Sequence, residues 1–331
     1  MSGFEENEVS KNANGGTEIS KRSLQSTLPA ELLDECQIIS SRIRELQENK
    51  IRVLTCHDLA EDPELNHLRD ANSRNRFHKI VFVSNWQLDE FVTKLGINQD
   101  ETISVIENPI KPIELVPKSK EQINLIYFST PQRGLELLVP VFEELSKKYD
   151  NVHLDVYSSF LIYGWKEMDE QFNPLYDRIK NHPKMTYHGY APQEQITEAL
   201  KKAHILAYPC IWKETSCRTL MESMSAGLVC VHPNFGALPE TSGGLTSMYQ
   251  YVDDKNKHAA AFFQNLEHAI SVVNEERIQN YLKFVKTFAD MRYNIDKISQ
   301  QWQYMLTDLK NRYPTEDSRK IPGKVFVYRT S

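Results

Sequence analysis

The amino-acid sequence predicts an α/β protein with two doubly wound parallel sheets, one in each half of the chain. Short apolar runs alternate with longer amphipathic stretches, which is typical of β-α units. The alternation pauses near residues 108–120 and then begins again, which indicates two blocks of this kind. A chain of 331 residues is long enough for two such domains.

Four apolar runs predict the strands of the first domain, which we place at residues 15–110. They are CQIIS (36–40), IRVLTCHD (51–58), KIVFVSNW (79–86) and TISVIENPI (102–110). The segment NGGTEIS (14–20) opens a helix. Residues 1–14 are polar, and we expect them to be disordered.

Six further runs predict the strands of the second domain, at residues 111–285. They are INLIYFST (123–130), VHLDVYSS (152–159), MTYHGYA (185–191), HILAYPC (204–210), LVCVHP (228–233) and SMYQYVDD (247–254). Two helical stretches are expected to finish the chain, the longer running from Phe284 to Tyr313. Ligands of doubly wound sheets bind beyond the carboxyl ends of the strands, so the predicted site is a cleft between the two facing domains.

Composition excludes several classes of protein. The formal net charge is −6, so we expect no nucleic acid as a major partner. The five cysteines are scattered without a C-x-x-C pair, which indicates reduced thiols in a cytoplasmic protein. The start of the chain does not resemble a signal peptide, and no apolar run approaches the ~18 residues of a membrane span. The histidines show no ligand spacing with acids, so no metal site is expected. We expect no cofactor either.

The stretch ETSCRTLMESMSAGLVCV, residues 214–231, is the richest in chemistry. Glu214 falls in the loop after a predicted strand, Thr215 or Ser216 is a suitable N-cap, and Glu222 follows about two turns into the helix, which Gly227 closes. A carboxylate can accept from two adjacent hydroxyls, and a helix N-terminus suits a diphosphate. The pattern is that of a nucleotide-sugar site, although two acids on a solvated helix would also fit it.

This stretch resembles the E-x7-E signature of the retaining glycosyltransferases of the family-four type, which have the two-domain GT-B fold. The resemblance implies that Glu222 holds the ribose, that Glu214 contacts the donor sugar and that Arg133, in TPQRGLELL, binds the diphosphate. It also places His57 near the reacting sugar, so the residues expected to take part in catalysis are Glu214, Arg133 and His57. The further donor contacts that it implies are Gly15, Gly16, Gly189, Tyr190, Thr215 and Ser216.

Other segments are interpreted through the same resemblance. The loop GALPE (236–240) is expected near the donor. Residues 286–331 are expected to pack back on the first domain through Trp302 and Tyr304. The family's first domain usually begins with an apolar strand before the glycine turn, and MSGFEENEVSKNA has none. The first sheet is therefore expected to be short by at least one strand, either as a compact variant or through truncation.

The predicted function is transfer of a sugar from a nucleotide-sugar donor to an acceptor hydroxyl, with retention and without a metal. The acceptor could be a glycan, a lipid-linked molecule or a protein, and peripheral membrane contact is possible. Two alternatives stay open from the sequence. One is a nucleotide-sugar 2-epimerase on the same fold, and the other is a non-catalytic protein that binds a nucleotide sugar or a glycan.

Overall fold

The computed structural model describes residues 13–43 and 45–321, which form two compact units. The described residues up to Pro109 and from Tyr293 onward make up the first unit, and Ile110–Arg292 make up the second. Of the predicted disordered start, residues 1–12 lie outside the described residues. Ala13 is buried, and Asn14 accepts a hydrogen bond from Arg22 Nη2 at 2.7 Å.

The first unit contains a parallel sheet of four strands in the order β1-β2-β3-β4. All four predicted strands are confirmed, and three of them are shorter than their apolar runs. Their bounds are β1 Cys36–Ser40, β2 Ile51–Cys56, β3 Lys79–Phe82 and β4 Ile103–Val105. The helices of this unit are α1 Gly16–Thr27, α2 Ala30–Leu33, α3 Ala71–Arg74, α4 Asn85–Leu95, α12 Ile295–Arg312 and α13 Glu316–Arg319, with a 3₁₀ helix at Pro63–Arg69.

The strand order of this first sheet has no reversal, so its sequential connections alone would cover only one face. Right-handed crossovers that always step in one direction lie on one face of a sheet. Here that face packs against α4 and the 3₁₀ helix, through residues such as Phe91 and Leu65. The opposite face is covered by α1 before the sheet and by α12 from the end of the chain.

The last long helix departs from its prediction in two ways. The stretch from Phe284 to Tyr313 is divided at Asn294, whose side chain caps α12 by accepting from the backbone N–H of Asp296 at 2.8 Å. Trp302 is buried in the core of the first unit, as predicted. Tyr304 is 82% exposed, so its predicted packing was wrong. Two residues along a helix is a rotation of about 200°, which takes Tyr304 to the opposite side.

The second unit contains a parallel sheet of six strands in the order β10-β9-β8-β5-β6-β7. The strands are β5 Ile123–Phe128, β6 Val152–Tyr157, β7 Met185–Tyr187, β8 Ile205–Ala207, β9 Val229–Pro233 and β10 Ser247–Tyr249. The helices are α5 Leu135–Lys148, α6 Asn173–Lys180, α7 Gln193–Lys202, α8 Arg218–Ser225, α9 Leu238–Ser242, α10 Lys255–Val272 and α11 Glu276–Tyr293. This sheet is doubly wound, because the chain moves outward from β5 to β7 and then returns to place β8 on the other side of β5.

Two predictions about the chemistry of the chain can be compared with this structure. All five cysteines are free and buried, as expected of reduced thiols. Burial raises the pKa of the Cys210 thiol to about 12, so it stays protonated. Among the described helices, none combines the length and the apolar character needed to cross a bilayer.

Three histidines with lowered pKa values predict acid sensitivity of the first unit. Burial lowers the pKa of His57, His67 and His78 to about 4, whereas histidine in an unfolded chain titrates near 6.5. The unfolded state therefore binds more protons between these values, so stability is complete above about pH 6.5 and is lost as the pH falls toward 4. We expect calorimetry to show a midpoint that falls steeply from pH 7 to 4.5.

The matched variants for this prediction are His78→Gln and His268→Gln. The first removes one buried titrating group and should flatten the pH profile, whereas the second changes an exposed histidine and should leave the profile as it is. A midpoint independent of pH over this range would contradict the prediction.

Candidate functional site

The site is built where β5 and β8 lie side by side and the strand order of the second sheet reverses. The turn after β5 carries Arg133 and Gly134, and the loop after β8 runs from Tyr208 to Glu214. Gly134 has φ 114°, and a Cβ there would collide with the carbonyl oxygen of Pro209 and lie 2.9 Å from its carbonyl carbon. A glycine at this position therefore lets the two segments approach closely.

Arg133 and Glu214 form an ion pair in this place. Arg133 Nη1 donates to Glu214 Oε1, and the Tyr208 hydroxyl donates to the same oxygen at 2.6 Å. The guanidinium also lies 5.8 Å from the centre of the Trp212 ring. Burial alone would lower the pKa of Arg133, but the Glu214 carboxylate outweighs it and raises the pKa well above its ordinary value. The pair is therefore a fixed positive and negative charge at the carboxyl edge of the sheet.

The loop predicted to lie near the donor holds the backbone of Glu214. Gly236, in GALPE, has φ 59°, and a Cβ there would lie 2.8 Å from both the nitrogen and the oxygen of Glu214. The amide of Ala237 donates to the carbonyl oxygen of Glu214 at 2.8 Å. Glu214 is thus positioned by two separate loops, through its side chain and its main chain.

The second acid lies on α8, which begins later than its prediction. The N-cap is Cys217 rather than Thr215 or Ser216, and it makes no side-chain capping bond. Glu222 is therefore about one turn into the helix, not two. It is 5% exposed, and its Oε1 accepts from Arg218 Nη2 at 2.7 Å.

Three buried polar atoms around this edge have no hydrogen-bond partner among the described residues. They are Thr130 Oγ1 and Gln132 Oε1, in the turn after β5, and Ser216 Oγ, in the loop before α8. The Thr219 hydroxyl, on the first turn of α8, donates to the carbonyl oxygen of Phe128 at 3.3 Å, so that turn touches the end of β5. Because buried polar groups are normally satisfied, unpaired ones beside a strand switch point are typical of a ligand site.

Gly189 and Tyr190, predicted to contact the base, follow β7 in the same sheet. Gly189 has φ 68°, a conformation that favours glycine. The preceding residue, His188, stacks on Tyr157 with ring centres 4.2 Å apart and hydrogen-bonds Asp155 at 2.7 Å. The residue at the start of this loop is therefore held in place by β6.

The remaining predicted residues belong to the first unit. Gly15 is the N-cap of α1 with an extended backbone that any residue could adopt, and Gly16 is the first residue of that helix. His57 follows β2 and donates its amide to Ser41 Oγ at 2.9 Å. It lines a small pocket at the carboxyl edge of the first sheet, together with Lys21, Asn108 and Trp302.

Three residues of the site were not predicted from the sequence: Tyr208, Trp212 and Arg218. Arg218 could have been found, since it lies four residues before Glu222 and that spacing places oppositely charged side chains together on a helix. No comparable signal marks the other two. Over the ranges 13–43 and 45–321, no group of three or more histidines, cysteines or acids could hold a metal ion.

Comparison with protein families gives a match over the second unit. Residues 109–260 match the family described as glycosyl transferases group 1. The match begins at the residue before the second unit and includes Arg133, Glu214 and Glu222. It confirms the predicted enzyme class. A comparison with curated protein sequences finds no match.

Three solved structures among those that match are similar to this chain in fold. A glycosyltransferase from Rickettsia africae superposes with a TM-score of 0.67 at 15% identity, over 92% of this chain and 83% of that one. HepE of Anabaena, with UDP and glucose bound, has a TM-score of 0.59 at 14% identity, over 88% and 81%. Sucrose-phosphate synthase from Thermosynechococcus elongatus has a TM-score of 0.60 at 14% identity, over 79% and 68%. These similarities confirm the predicted GT-B fold, with a parallel sheet in each half.

Proposed function

We propose that this chain, whose residues 109–260 match the group 1 glycosyl transferases, transfers the sugar of a UDP-sugar to an acceptor hydroxyl. We further propose that the reaction retains the anomeric configuration and needs no metal ion. The observation that carries the proposal is the Arg133–Glu214 pair at the strand switch point of the second sheet. The choice of UDP is supported by HepE, whose structures contain UDP, UDP with glucose, and UDP-glucose.

Arg133 is the group that we assign to the leaving diphosphate. A guanidinium has five N–H donors, and the contact with Glu214 uses Nη1, so others can reach a phosphate oxygen. Negative charge builds on the diphosphate as the glycosidic bond breaks, and a fixed cation stabilises it. Helix α5 begins at Leu135, two residues after Arg133, and the positive end of its dipole adds to this charge.

The two acids would hold the two ends of the donor. The described contacts of Glu214 are made to Oε1, so we expect Oε2 to accept from a sugar hydroxyl. Glu222 would accept from the ribose hydroxyls, which are paired on adjacent carbons and suit one carboxylate. A paired-carboxylate hydrolase needs a carboxylate at the anomeric carbon as a nucleophile. We assign Glu214 no such role, because Arg133 and Tyr208 already bind it, and we propose that the leaving phosphate assists the incoming hydroxyl.

Nucleotide binding is the first test of this function. The nucleotides to compare are UDP, GDP, ADP, TDP and CMP. We expect UDP to raise the unfolding free energy by about 2.7 kcal/mol at a concentration of a hundred times its Kd. Glu222→Gln should weaken UDP by about ten- to hundredfold, because a charge-assisted hydrogen bond contributes roughly 1.5–3 kcal/mol. The measurement is a thermal-shift titration.

The matched control is Glu143→Gln, which changes an acid that pairs with Arg178 on the surface of the same unit. UDP should bind this variant as it binds the wild type. Equal affinity of wild type and Glu222→Gln for UDP would remove Glu222 from the site, and a shift with a different nucleotide would reassign the base.

Transfer is tested separately from binding. UDP-glucose is the first donor to try, and product analysis with donor alone separates transfer from epimerisation, which needs no acceptor. The anomeric configuration of the product tests retention, and addition of a chelator tests metal independence. A donor that binds but is never consumed, with any acceptor hydroxyl supplied, would contradict the proposed activity.

A further inference from the structure

The loop that follows β6 presents large apolar side chains to solvent. It covers residues 159–172, which contain two 3₁₀ helices. Leu161, Trp165 and Met168 are 41%, 47% and 45% exposed. A single apolar residue on a surface is ordinary, but three large ones in one short loop are typical of an interaction surface.

The same loop is held from its inner side. Asp169 accepts from the Ser159 hydroxyl at 2.5 Å and from the Phe160 amide at 2.9 Å. It also accepts from the hydroxyl of Tyr176, in α6, at 2.8 Å. Phe160 is buried, with its ring centre 5.8 Å from that of Phe172. The exposed side chains therefore project from an ordered frame, and an ordered surface loses less entropy when a ligand binds to it.

This surface is continuous with the Arg133–Glu214 pair. Strand β6 lies beside β5, so the loop after β6 and the turn after β5 are at the same carboxyl edge of the sheet. Burial acts to lower the pKa of Arg133, Glu214 acts most strongly to raise it, and Tyr163 acts in the same direction as Glu214. The Tyr163 hydroxyl is therefore within electrostatic reach of the guanidinium. The Trp165 ring lies next to the Tyr163 ring, with centres 5.2 Å apart.

A second exposed tryptophan lies at the same pair. Trp212 is 44% exposed, and its ring centre is 5.8 Å from the guanidinium carbon of Arg133. Two of the chain's four tryptophans, Trp165 and Trp212, are thus about half exposed in loops at one edge of one sheet. Tryptophan is highly buried on average, so two exposed ones near a candidate site indicate rings that pack against a ligand.

A carbohydrate fits this surface better than a membrane does. One face of a sugar ring presents C–H groups, which pack on the electron-rich face of an aromatic ring, and its hydroxyls need polar partners. The loop supplies such partners in its exposed charged residues Lys166, Glu167 and Glu170. Residues 159–172 contain one lysine against three acids, which is a net charge of −2 that an anionic bilayer repels.

We propose that residues 159–172 form a platform for the acceptor, and that the acceptor is a neutral glycan whose sugar rings stack on Trp165 and Trp212. The proposal rests on the proposed function, because it takes the edge with Arg133 to be the place where the sugar leaves its diphosphate. A glycan on this platform would present a hydroxyl at that edge. The test uses Trp165, because Trp212 also contacts Arg133 and its replacement would disturb the diphosphate site.

The probes are an array of neutral oligosaccharides of glucose, galactose, mannose and N-acetylglucosamine, and UDP. We expect the wild type to bind at least one of these oligosaccharides, with the affinity then measured by calorimetry. Trp165→Leu keeps an apolar side chain but loses the flat ring, so it should weaken that oligosaccharide by about five- to thirtyfold. Trp165→Phe keeps a ring and should recover part of the affinity. UDP should bind both variants within about threefold of the wild type.

The matched control is Phe284→Leu, which replaces another exposed aromatic residue of the same unit, on α11. It should bind the oligosaccharide as the wild type does.

The outcomes for the platform and for the donor site are separate. If no oligosaccharide of the array binds, or if Trp165→Leu binds as tightly as the wild type, the platform is overturned, and UDP binding still supports the proposed function. Binding to vesicles of phosphatidylcholine and phosphatidylglycerol that Trp165→Leu abolishes, without oligosaccharide binding, would also overturn the platform and assign the surface to lipid. Oligosaccharide binding that depends on Trp165, in a wild type that binds no UDP, would keep the glycan platform and overturn the proposed function.

Discussion

Arg133→Ala is expected to slow sugar transfer by about 10²- to 10³-fold, while affinity for uridine changes by less than about threefold. Arg133 is assigned to the charge that develops on the diphosphate, which is absent from a nucleoside. The effect should therefore be seen in kcat more than in nucleoside binding. Steady-state kinetics with UDP-glucose, together with uridine titration, measures both quantities.

A loss of rate could also result from the Glu214 carboxylate, which has no arginine partner once Arg133 is replaced. Removing the arginine strands the carboxylate of Glu214, which has 10% of its side chain exposed, and a buried unpaired charge destabilises a fold. The double variant Arg133→Ala with Glu214→Gln removes that charge, so it should regain stability without regaining rate. Recovery of the rate along with the stability would contradict a direct role for Arg133 at the diphosphate.

Arg178→Ala is the matched control for this prediction. Arg178 pairs with Glu143 in the same unit, but its side chain is 48% exposed and it lies outside the strand switch point. Exposed ion pairs contribute about 0–1 kcal/mol, so neither rate nor stability should change greatly. Equal effects of Arg178→Ala and Arg133→Ala on transfer would mean that the site is elsewhere.

The strands could be predicted from the sequence because their signal is local. A strand such as β8, Ile205–Ala207, is buried at every position in a parallel sheet, so it appears as a continuous apolar segment. The order of the strands is not local. The sequential order of the first sheet depends on which elements cover each face, and α12 comes from nearly 200 residues beyond that sheet's last strand.

For the site residues too, the local features could be predicted from the sequence and the contacts between distant segments could not. Glu214 and Arg133 could be chosen from residue type and spacing, but their contact requires β5 and β8 to be neighbours. The helix start was predicted from capping preference alone. Glu214 is held by Gly236 and Ala237, and the chain reaches helical geometry only at Arg218, so tertiary contacts outweighed the preference of Thr215 and Ser216 for the cap.

Gly134→Ala is expected to destabilise the second unit strongly. Its φ of 114° is unfavourable for a residue with a Cβ, and that Cβ would collide with the carbonyl group of Pro209. Backbone strain costs roughly 1–3 kcal/mol and overpacking about as much again, so the loss should be roughly 2–6 kcal/mol. Because the turn must move away from β8, Arg133 should also separate from Glu214. Calorimetry measures the stability, and UDP titration measures the site.

Gly244→Ala separates the two causes of this loss. Gly244 lies in the same unit and has φ 72°, but a Cβ there would have no atom within 4 Å. It should therefore show backbone strain alone, roughly 1–2 kcal/mol, with UDP affinity unchanged. If both variants lose the same stability and both bind UDP normally, the close approach of the turn after β5 to Pro209 does not position Arg133. A larger loss in Gly134→Ala, accompanied by weaker UDP binding, would show that this close approach positions Arg133.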